Sequence, residues 1–384
     1  MPTLIVIGYR DDLDQAVRRR GLEPFYIVQP PVTPPKGRSF RRVTDMENVQ
    51  EVLRAVLSAP LDEVAGVLSV HEMGVFGAAY LRQQLNLPGN ADSKTALYFR
   101  DKYLQKSRLP PHIRRARCRY VTADTSFADL VNDLGEVFVI KPATGAGALR
   151  TEIIRSPEDY ARALKPLPGQ SDVAIVAESF IDASEVYMDG IWTDGGLRWS
   201  SMSRNHIAPL SAVKGGILAA HILDRNQHPD MFRQADAVVR QVLESLNAPD
   251  CVFHVEMFTE ESGLTFGECA IRLPGALSPQ VNKMTYGVDL FDAEISLALG
   301  EEITQTLDSG TPDRFYGYML LRRSDGLTRQ DFERNFVFDE IDYPSSPDAP
   351  IGPYGRFGQA IVSDPDELKL QKTIEDIVRF NELG

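Results

Sequence analysis

The sequence lacks the features that mark several classes of protein. Among its 384 residues there are only three cysteines, Cys118, Cys251 and Cys269, and no CxxC pair. Neither a disulfide framework nor a structural zinc site is expected from so few thiols, and a reducing cytoplasm is the expected location. There is no basic leader followed by an apolar segment, and no apolar run approaches the length of a membrane span. We therefore predict neither targeting nor membrane anchoring.

The chain is also poor in positive charge and in dinucleotide-binding glycine motifs. Its formal net charge of −13 at pH 7 argues against a general grip on nucleic acid, because that needs clustered lysine and arginine. No GxGxxG follows the first apolar strand, so a dinucleotide site is not predicted. What the sequence does have is 43% hydrophobic residues, enough for a sizeable core in two or three domains.

Apolar strands and helices alternate over residues 1–92, with strands at "TLIVIGY", "PFYIVQP" and "VAGVLSV". This βαβ rhythm predicts an α/β domain with a parallel sheet, in which ligands tend to bind at the carboxyl edge. His71 and Glu72 follow the last of these strands. Glu72 is a candidate to meet a substrate amino group, and a solvated loop pair is the alternative.

Beyond residue 92 the pattern changes to strands with few long helices between them. Residues 93–299 contain runs such as "DVAIVAESF", "EVYMDGIW" and "GLRWSSMS", which predict a largely antiparallel, α+β region. Residues 300–384 return to strands and end in a helix. We expect this last segment to complete the core of the middle region.

The first chemical motif is "FVIKPATGAGALRT", which places Lys141 at the end of a strand and Gly145 and Gly147 in a loop of small residues. Glycines let backbone amides approach a phosphate without side chains in the way. The lysine precedes the glycines, so this is not the GxxxxGK[ST] loop. A hairpin turn with a solvated lysine is the alternative. Upstream, "RDKYLQK" offers a second lysine, Lys102.

The next motif, "VAESFIDASEVYMDG", suits a nucleoside. Glu178 ends a strand, the apolar pair Phe180 and Ile181 follows, and Glu185 comes seven residues after Glu178. A strand edge can pair with the donor and acceptor of adenine, while a carboxylate accepts hydrogen bonds from the ribose hydroxyls.

Two further acids lie on neighbouring apolar strands, "CVFHVEMF" and "GLTFGECA". They are Glu256 and Glu268, and such a pair of carboxylates indicates a metal site. Arg272 comes four residues after Glu268, at a Leu-Pro-Gly break. His254 shares a strand face with Glu256 by two-residue alternation, so we predict that it acts as a general base or contacts substrate.

In this order and spacing, the motifs resemble the ATP-grasp superfamily over residues 93–300. Within the superfamily, "FHVEMF" followed by "ECAIRLPGA" is most similar to the branch that holds bacilysin-type L-amino-acid ligases and carnosine synthase. The resemblance implies an ATP-grasp architecture, with an N-terminal parallel-sheet domain, a mobile lid subdomain at about 120–181 and a mixed-sheet C-terminal domain.

The resemblance also implies that the protein binds ATP and Mg²⁺, with Mn²⁺ as an alternative. Glu256 and Glu268 would hold the metal ions, and Arg272 would hold the reacting anion. One departure is Ala270, where many relatives have asparagine, and it puts the strength of the second metal site in doubt. The implied ATP-binding residues are Lys102, Lys141, Gly145, Gly147, Glu178, Phe180, Ile181 and Glu185.

The acceptor site has fewer markers in the sequence. The run "SMSRNHIAPLSAVKGGILAAH" is rich in small residues and offers Arg204, His206 and Lys214 as substrate candidates, with a surface loop as the alternative. Pro274 and Gly275, which follow Arg272 closely, are further candidates.

The implied reaction is ATP-dependent formation of an amide bond between a carboxylate and an amine, both expected to be amino acids. ATP converts the carboxylate to an acyl phosphate, and the amine then displaces phosphate. Two alternatives stay open: a carboxylase-like enzyme that phosphorylates bicarbonate, and a nucleotide-binding protein without catalysis. The expected partners are small molecules. The sequence leaves open a homodimer, the identity of both substrates and the pathway.

Overall fold

A computed structural model describes residues 1–89, 92–165, 173–308, 310–324, 326–346 and 351–383. These residues form three β-sheets with helices packed around them. The predicted domain boundary at residue 92 adjoins residues 90–91, and the predicted lid includes residues 166–172; both stretches lie outside the described residues. Along the described ranges, no helix is both long and apolar enough to cross a membrane.

The first sheet has four parallel strands in the order β3-β2-β1-β4. All five residues of the first strand are buried, as expected for a parallel strand covered on both faces. A one-turn helix, Glu72–Gly74, follows the last strand at the carboxyl edge. The elements are β1 (Thr3–Ile7), α1 (Asp11–Arg19), β2 (Glu23–Val28), β3 (Ser39–Arg42), α2 (Val49–Leu57), β4 (Val64–Ser69) and α3 (Val75–Gln84).

The second sheet has four antiparallel strands in the order β5-β8-β6-β7 and occupies the range predicted for the lid. Its own small core contains Phe138, Ile154 and Tyr160. The mobility of this unit stays a prediction. The elements are α4 (Ser93–Tyr98), α5 (Lys102–Arg108), β5 (Cys118–Val121), α6 (Phe127–Leu134), β6 (Phe138–Pro142), β7 (Glu152–Ile154), α7 (Pro157–Ala163) and β8 (Ile175–Ser179).

The third sheet has eight strands in the order β13-β12-β9-β10-β11-β14-β16-β15. Where a mixed sheet was expected, each pairing between these eight strands is antiparallel. The reason is local, because tight turns join β9 to β10 and β12 to β13, and such hairpins run antiparallel. The first elements are β9 (Ser184–Thr193), β10 (Gly196–Asn205), α8 (Pro209–Val213), β11 (Ala219–Ile222), α9 (Pro229–Ser245), β12 (Cys251–Glu260), β13 (Gly263–Ala270), α10 (Ser278–Tyr286) and α11 (Leu290–Leu299).

The segment after residue 300 extends this same sheet. Strand β14 pairs with β11, so the sheet runs across the expected boundary at residue 300. The segment therefore packs into the core of the middle region, while the division into three domains stays a prediction. Its elements are β14 (Phe315–Met319), α12 (Arg329–Asn335), β15 (Glu340–Asp342), β16 (Gln359–Asp364) and α13 (Glu367–Leu383).

Helix α11 joins the first sheet to the third. One apolar cluster combines Leu4 of β1, Leu290 and Phe291 of α11, and Val252 of β12. The same helix carries Glu294, which lines a small cavity of about 60 Å³ together with Arg82. Burial raises the pKa of Glu294 to about 7, although the charge of Arg82 opposes the shift.

We expect Glu294→Gln to stabilise the protein above pH 7. The folded state holds the proton of Glu294 up to about pH 7, whereas the unfolded chain releases it near pH 4.5, so stability falls as the pH rises between these values. A neutral amide removes this cost, which is about 3 kcal/mol at pH 8 and less than half of that at pH 5. Denaturant unfolding at both pH values measures it, and an equal gain at the two would contradict the assignment to burial.

Candidate active site

A cavity of about 410 Å³ lies between the second and third sheets. Glu72 also lines it, and belongs to the first unit, which is the first sheet with its helices in residues 1–89. Apolar side chains form part of the wall, and they come from both sheets, from the segment just before β5 and from the segment that joins β8 to β9. These are Ala116, Val139, Ile153, Phe180, Ile181 and Phe258. Such a wall can take a flat, apolar group such as a nucleobase. Phe180 and Ile181 were predicted for this role, and both line the cavity.

Three carboxylates from neighbouring strands line the cavity. Glu256 of β12 and Glu268 of β13 are directly paired in register, and Glu185 of β9 lies opposite Phe258 of β12. Burial and the charge of Glu256 raise the pKa of Glu185 to about 8. Burial, together with Glu72 and Glu256, also raises the pKa of Glu268. The negative charges are therefore crowded, an arrangement that a divalent cation would relieve.

The two lysines predicted to face phosphate both line the cavity. The Lys102 ammonium lies 3.0 Å from a carboxylate oxygen of Glu268 and donates to the carbonyl oxygen of Gly145 at 2.6 Å. The Lys141 ammonium lies 2.9 Å from a carboxylate oxygen of Glu178. Both side chains are largely buried, with exposed fractions of 5% and 17%. Neither lysine is therefore a solvated surface residue, which was the alternative for Lys141.

A third lysine, Lys106, was not predicted. Its ammonium lies 2.9 Å from the second carboxylate oxygen of Glu178, so this glutamate is held between two lysines. Burial would raise the pKa of Glu178, but Lys106 and Lys141 outweigh burial and hold the pKa near 2. Glu178 thus stays charged and fixes the Lys141 ammonium. A sequence signal existed, because Lys102 and Lys106 are four residues apart on one face of α5.

The glycine-rich loop after β6 lines the cavity from residue 145 to 149. Gly147 has a φ of +60°, and a Cβ at this position would lie 3.0 Å from the hydroxyl of Tyr354. Ala148 and Arg150 also adopt left-handed backbone conformations. Tyr354, from the segment after residue 300, therefore contacts the loop and lines the cavity, although no sequence pattern marked it.

His254 lies between two carboxylates. Its Nδ1 donates to Asp189 at 2.6 Å, and its Nε2 donates to Glu256 at 3.4 Å. Burial lowers the pKa of His254, but Asp189 outweighs burial and raises the pKa to about 9. A protonated imidazole cannot accept a proton at neutral pH, so the geometry favours a charged partner of Glu256 over a general base. The other predicted role of His254, contact with substrate, stays a prediction.

Asp189, which the sequence analysis missed, is 1% exposed and anchors His254. Its second carboxylate oxygen accepts hydrogen bonds from the hydroxyl of Ser278 and, at 3.2 Å, from the amide of Asn282. A buried charge needs such partners. The sequence signal was an acid inside the apolar run "EVYMDGIW" of β9.

Arg272 lines the cavity and reaches the first unit. Its Nη2 donates to Glu72 at 2.9 Å, and its Nη1 donates to the carbonyl oxygen of Leu273 at 2.8 Å. The other carboxylate oxygen of Glu72 lies 3.0 Å from Nη1 of Arg100, whose side chain is fully buried. Burial opposes ionisation of Glu72, but Arg272 and Arg100 hold its pKa near 2.

This pairing corrects the role expected for Glu72. Both of its oxygens face arginines, so it is not available to meet a substrate amino group and instead orients Arg272. Although Arg272 follows Glu268 by four residues, the two do not pair, because the partner of Glu268 is Lys102. Arg100, like Arg272, lies far along the chain from its partner, and no local pattern in the sequence marked it.

Four of the substrate candidates do not line the cavity. Arg204 lies on β10 next to Asn205, and since neighbouring residues of a strand face opposite sides, Asn205 lines the cavity instead. His206 contacts His221 at 2.9 Å, with burial lowering its pKa to about 3, and Lys214 pairs with Glu152 at the surface.

Pro274 contributes its carbonyl oxygen to Arg10 rather than a cavity surface. The predicted loop does approach the cavity, but through residues 208–211. Gly275, the remaining candidate, lines the cavity with Ala276. A Cβ at Gly275 would meet no heavy atom within 4 Å, so open space lies in front of it.

Comparison with known proteins agrees with this architecture. No protein-family profile matches the chain. An L-arginine-specific L-amino acid ligase of Bacillus subtilis is 24% identical over 298 residues, which are 75% of this chain and 70% of that protein. The crystal structure of an L-amino acid ligase from Bacillus licheniformis superposes with a TM-score of 0.74 at 18% identity, over 98% of this chain and 97% of that one.

A carboxyaminoimidazole ribonucleotide synthase from Aspergillus clavatus, solved with ATP, gives a TM-score of 0.76 at 16% identity and covers 99% of both chains. The chain has the ATP-grasp fold. The fold predicted from the order of the sequence motifs is thereby confirmed, and the small second sheet and the large third sheet are its two halves around the cavity.

The carboxylates of this ATP-grasp cavity fit a metal held jointly with phosphates. Within the described ranges, no three His, Cys, Asp or Glu side chains converge into a group able to hold a metal ion by themselves. Glu256 and Glu268, paired in register, offer hard oxygen ligands, and phosphate oxygens would complete the coordination. Mg²⁺ prefers such a site, with one or two carboxylates and substrate phosphates.

Proposed function

We propose that this protein is an ATP-dependent carboxylate–amine ligase that joins two amino acids through an acyl phosphate. The observation that carries the proposal is the convergence of Glu256, Glu268, Lys141 and Arg272 on one cavity of an ATP-grasp fold. The reaction needs these groups: carboxylates for metal ions, a lysine for the phosphates and an arginine for the activated acid.

The side chains that line the cavity have different roles in the proposed reaction. Lys102 and Lys141 neutralise the phosphates of ATP, and the loop at 145–149 covers them with backbone amides. Glu256 and Glu268 would hold Mg²⁺, which would supply charge neutralisation for the phosphates when bound. Arg272, oriented by Glu72, stabilises the acyl phosphate formed when a carboxylate oxygen bonds to the terminal phosphorus and ADP leaves.

The second half-reaction needs the acyl phosphate to be kept from water. The amine nitrogen then bonds to the acyl carbon, phosphate leaves and the amine loses a proton. A closed lid formed by the second sheet and its glycine-rich loop would exclude water during this step. Tyr354, which contacts Gly147, lies where such a closure would be completed.

The substrates we propose are L-amino acids, with L-arginine the first to test because the Bacillus subtilis relative is named for it. The experiment incubates the purified protein with ATP, Mg²⁺ and pairs of amino acids, and follows ADP release with mass spectrometry of the products. A dipeptide is expected. Incorporation of labelled bicarbonate instead would support the carboxylase-like alternative, and ATP binding without turnover on any substrate would support a nucleotide-binding protein.

Lys141→Ala is expected to raise the dissociation constant of ATP at least about tenfold, because a charge-assisted hydrogen bond contributes about 1.5–3 kcal/mol. The fold should survive, since Lys106 still neutralises Glu178. Calorimetric titration with ATP gives the constant. Lys214→Ala, which removes a surface lysine paired with Glu152, is the matched control and should bind ATP normally. Equal affinity in the two variants would remove Lys141 from the phosphate site.

A further inference from the structure

The loop between β1 and α1 carries Arg10, which forms hydrogen bonds to the wall of the cavity. Arg10 donates from Nη1 to the carbonyl oxygen of Pro274 at 2.7 Å and from Nη2 to the carbonyl oxygen of Ala276 at 2.9 Å. These two carbonyls flank Gly275, which lines the cavity together with Ala276. Arg10 is not among the described residues that line the cavity, so it holds this turn from the side away from the substrates.

The turn needs such a restraint. Ala276 has a φ of +48°, a left-handed conformation that residues with a side chain rarely adopt and that persists only when the surroundings hold it. On the cavity side, open space lies in front of Gly275. The fork of the Arg10 guanidinium matches two carbonyl oxygens at once, which a single ammonium group does not do.

Arg10 is itself fixed in place. Its guanidinium carbon lies 5.0 Å from the centre of the Phe291 ring on α11. Burial lowers the pKa of Arg10 only to about 10, so the side chain stays charged at neutral pH. Two residues later, in the first turn of α1, Asp12 accepts a hydrogen bond from Gln280 at 2.5 Å. The loop and the start of α1 are thus attached at two places to the segment that follows Arg272.

We propose that Arg10 is a positioning residue for ligation, which fixes the turn at 274–276 as the wall of the amino-acid site beside Arg272. The proposal rests on the proposed function and deepens it. The phosphate end of the cavity is formed by Lys141 and the glycine-rich loop of the second sheet, whereas this turn follows Arg272 and is held by the first unit. The first unit therefore shapes the substrate end of the cavity through Arg10.

The kinetic test compares Arg10→Gln with Arg20→Gln. Arg20 is the matched control, because it also joins the first unit to α11, donating to Ser296 at 2.7 Å and to the carbonyl oxygen of Asp292, without touching the cavity wall. For Arg10→Gln we expect an unchanged dissociation constant for ATP and a loss of about 10²-fold in kcat/KM for the amino acids, as for a site misplaced by about 1 Å. ADP released per ligation product should rise, since a loose wall admits water.

A second measurement does not depend on activity. Without any ligand, the backbone amides of residues 275–278 should exchange hydrogen faster in Arg10→Gln than in the native protein, and at the native rate in Arg20→Gln. If Arg10→Gln does not fold, Arg10→Lys takes its place in both measurements, since it keeps the charge but not the fork.

The outcomes distinguish a failure of the role proposed for Arg10 from a failure of the proposed ligase function. Faster exchange together with the kinetic loss supports the proposal. Native exchange at 275–278, or equal kinetic effects in the Arg10 and Arg20 variants, overturns it and leaves Arg10 as a contact between units. If the native protein ligates no pair of amino acids, the proposed function fails, and with it the role in ligation, while the exchange rates still decide whether Arg10 holds the turn.

Discussion

Glu268→Gln and Glu256→Gln are each expected to abolish ligation and to leave the fold intact. The two carboxylates face each other in register on β12 and β13 and are the proposed ligands of the metal. An amide keeps the shape of the side chain but loses the charge that holds a divalent cation. We expect turnover to fall about a thousandfold or more, since a bound metal contributes several kcal/mol of charge stabilisation in the transition state.

The matched control for this pair is Glu260→Gln. Glu260 lies on the same strand as Glu256, pairs with Arg114 at 2.9 Å and is not a lining residue of the cavity. Its variant should ligate at the native rate. Melting temperature, ADP formation and the Mg²⁺ concentration for half-maximal rate are measured on one preparation of each variant. Normal turnover in Glu256→Gln or Glu268→Gln would end the metal assignment.

Arg272→Lys is expected to keep near-native affinity for ATP and to lose about 10²–10³-fold in turnover, as when one preorganised donor to a developing anion is displaced. Arg272 donates at once to Glu72 and to the carbonyl oxygen of Leu273 while lining the cavity, and a lysine has no planar fork to do so. Single-turnover ADP formation, with the ATP dissociation constant measured in parallel, gives both quantities.

Arg100→Lys separates this catalytic role from scaffolding. Arg100 is the other cation on Glu72 and does not line the cavity, so its variant loses part of the same buried network without touching substrate. We expect it to lower the melting temperature and to retain most of the turnover of the folded protein. If Arg272→Lys behaves in the same way, destabilised but active, Arg272 is scaffolding and the assignment to the acyl phosphate is wrong.

Much of the cavity could be predicted because its groups belong to local patterns. Strand alternation placed His254 on the face of Glu256, and the structure has the two side chains 3.4 Å apart. The glycine-rich loop after Lys141 and the pair Phe180 and Ile181 were recognised as short motifs of neighbouring residues. All of them line the cavity. These features depend on residues a few positions apart, whose relative directions are set by strand and turn geometry.

Prediction was weakest where a role depended on the partner of a charge. Glu72 was a candidate to meet an amino group or to be a solvated loop residue, but Arg272 and Arg100 occupy its oxygens. His254 was predicted to act as a general base or to contact substrate, and Asp189, which raises its pKa to about 9, disfavours the first of these roles. The type of a titratable residue indicates which groups it could bind. Its actual partner is the group that burial brings within about 3 Å of it.

The sequence by itself determined the order of strands and helices and the placement of Glu256 and Glu268 on adjacent strands, because hydrophobic periodicity and turn residues act over short distances along the chain. The ATP-grasp fold followed from the resemblance of its ordered motifs to that superfamily. The tertiary structure alone decided how the charges are paired. The contacts of Arg10 with the turn at 274–276 and of Arg272 with Glu72 join residues 200 or more positions apart. Such pairs form only when packing buries both groups together, and burial then obliges each charge to find a partner.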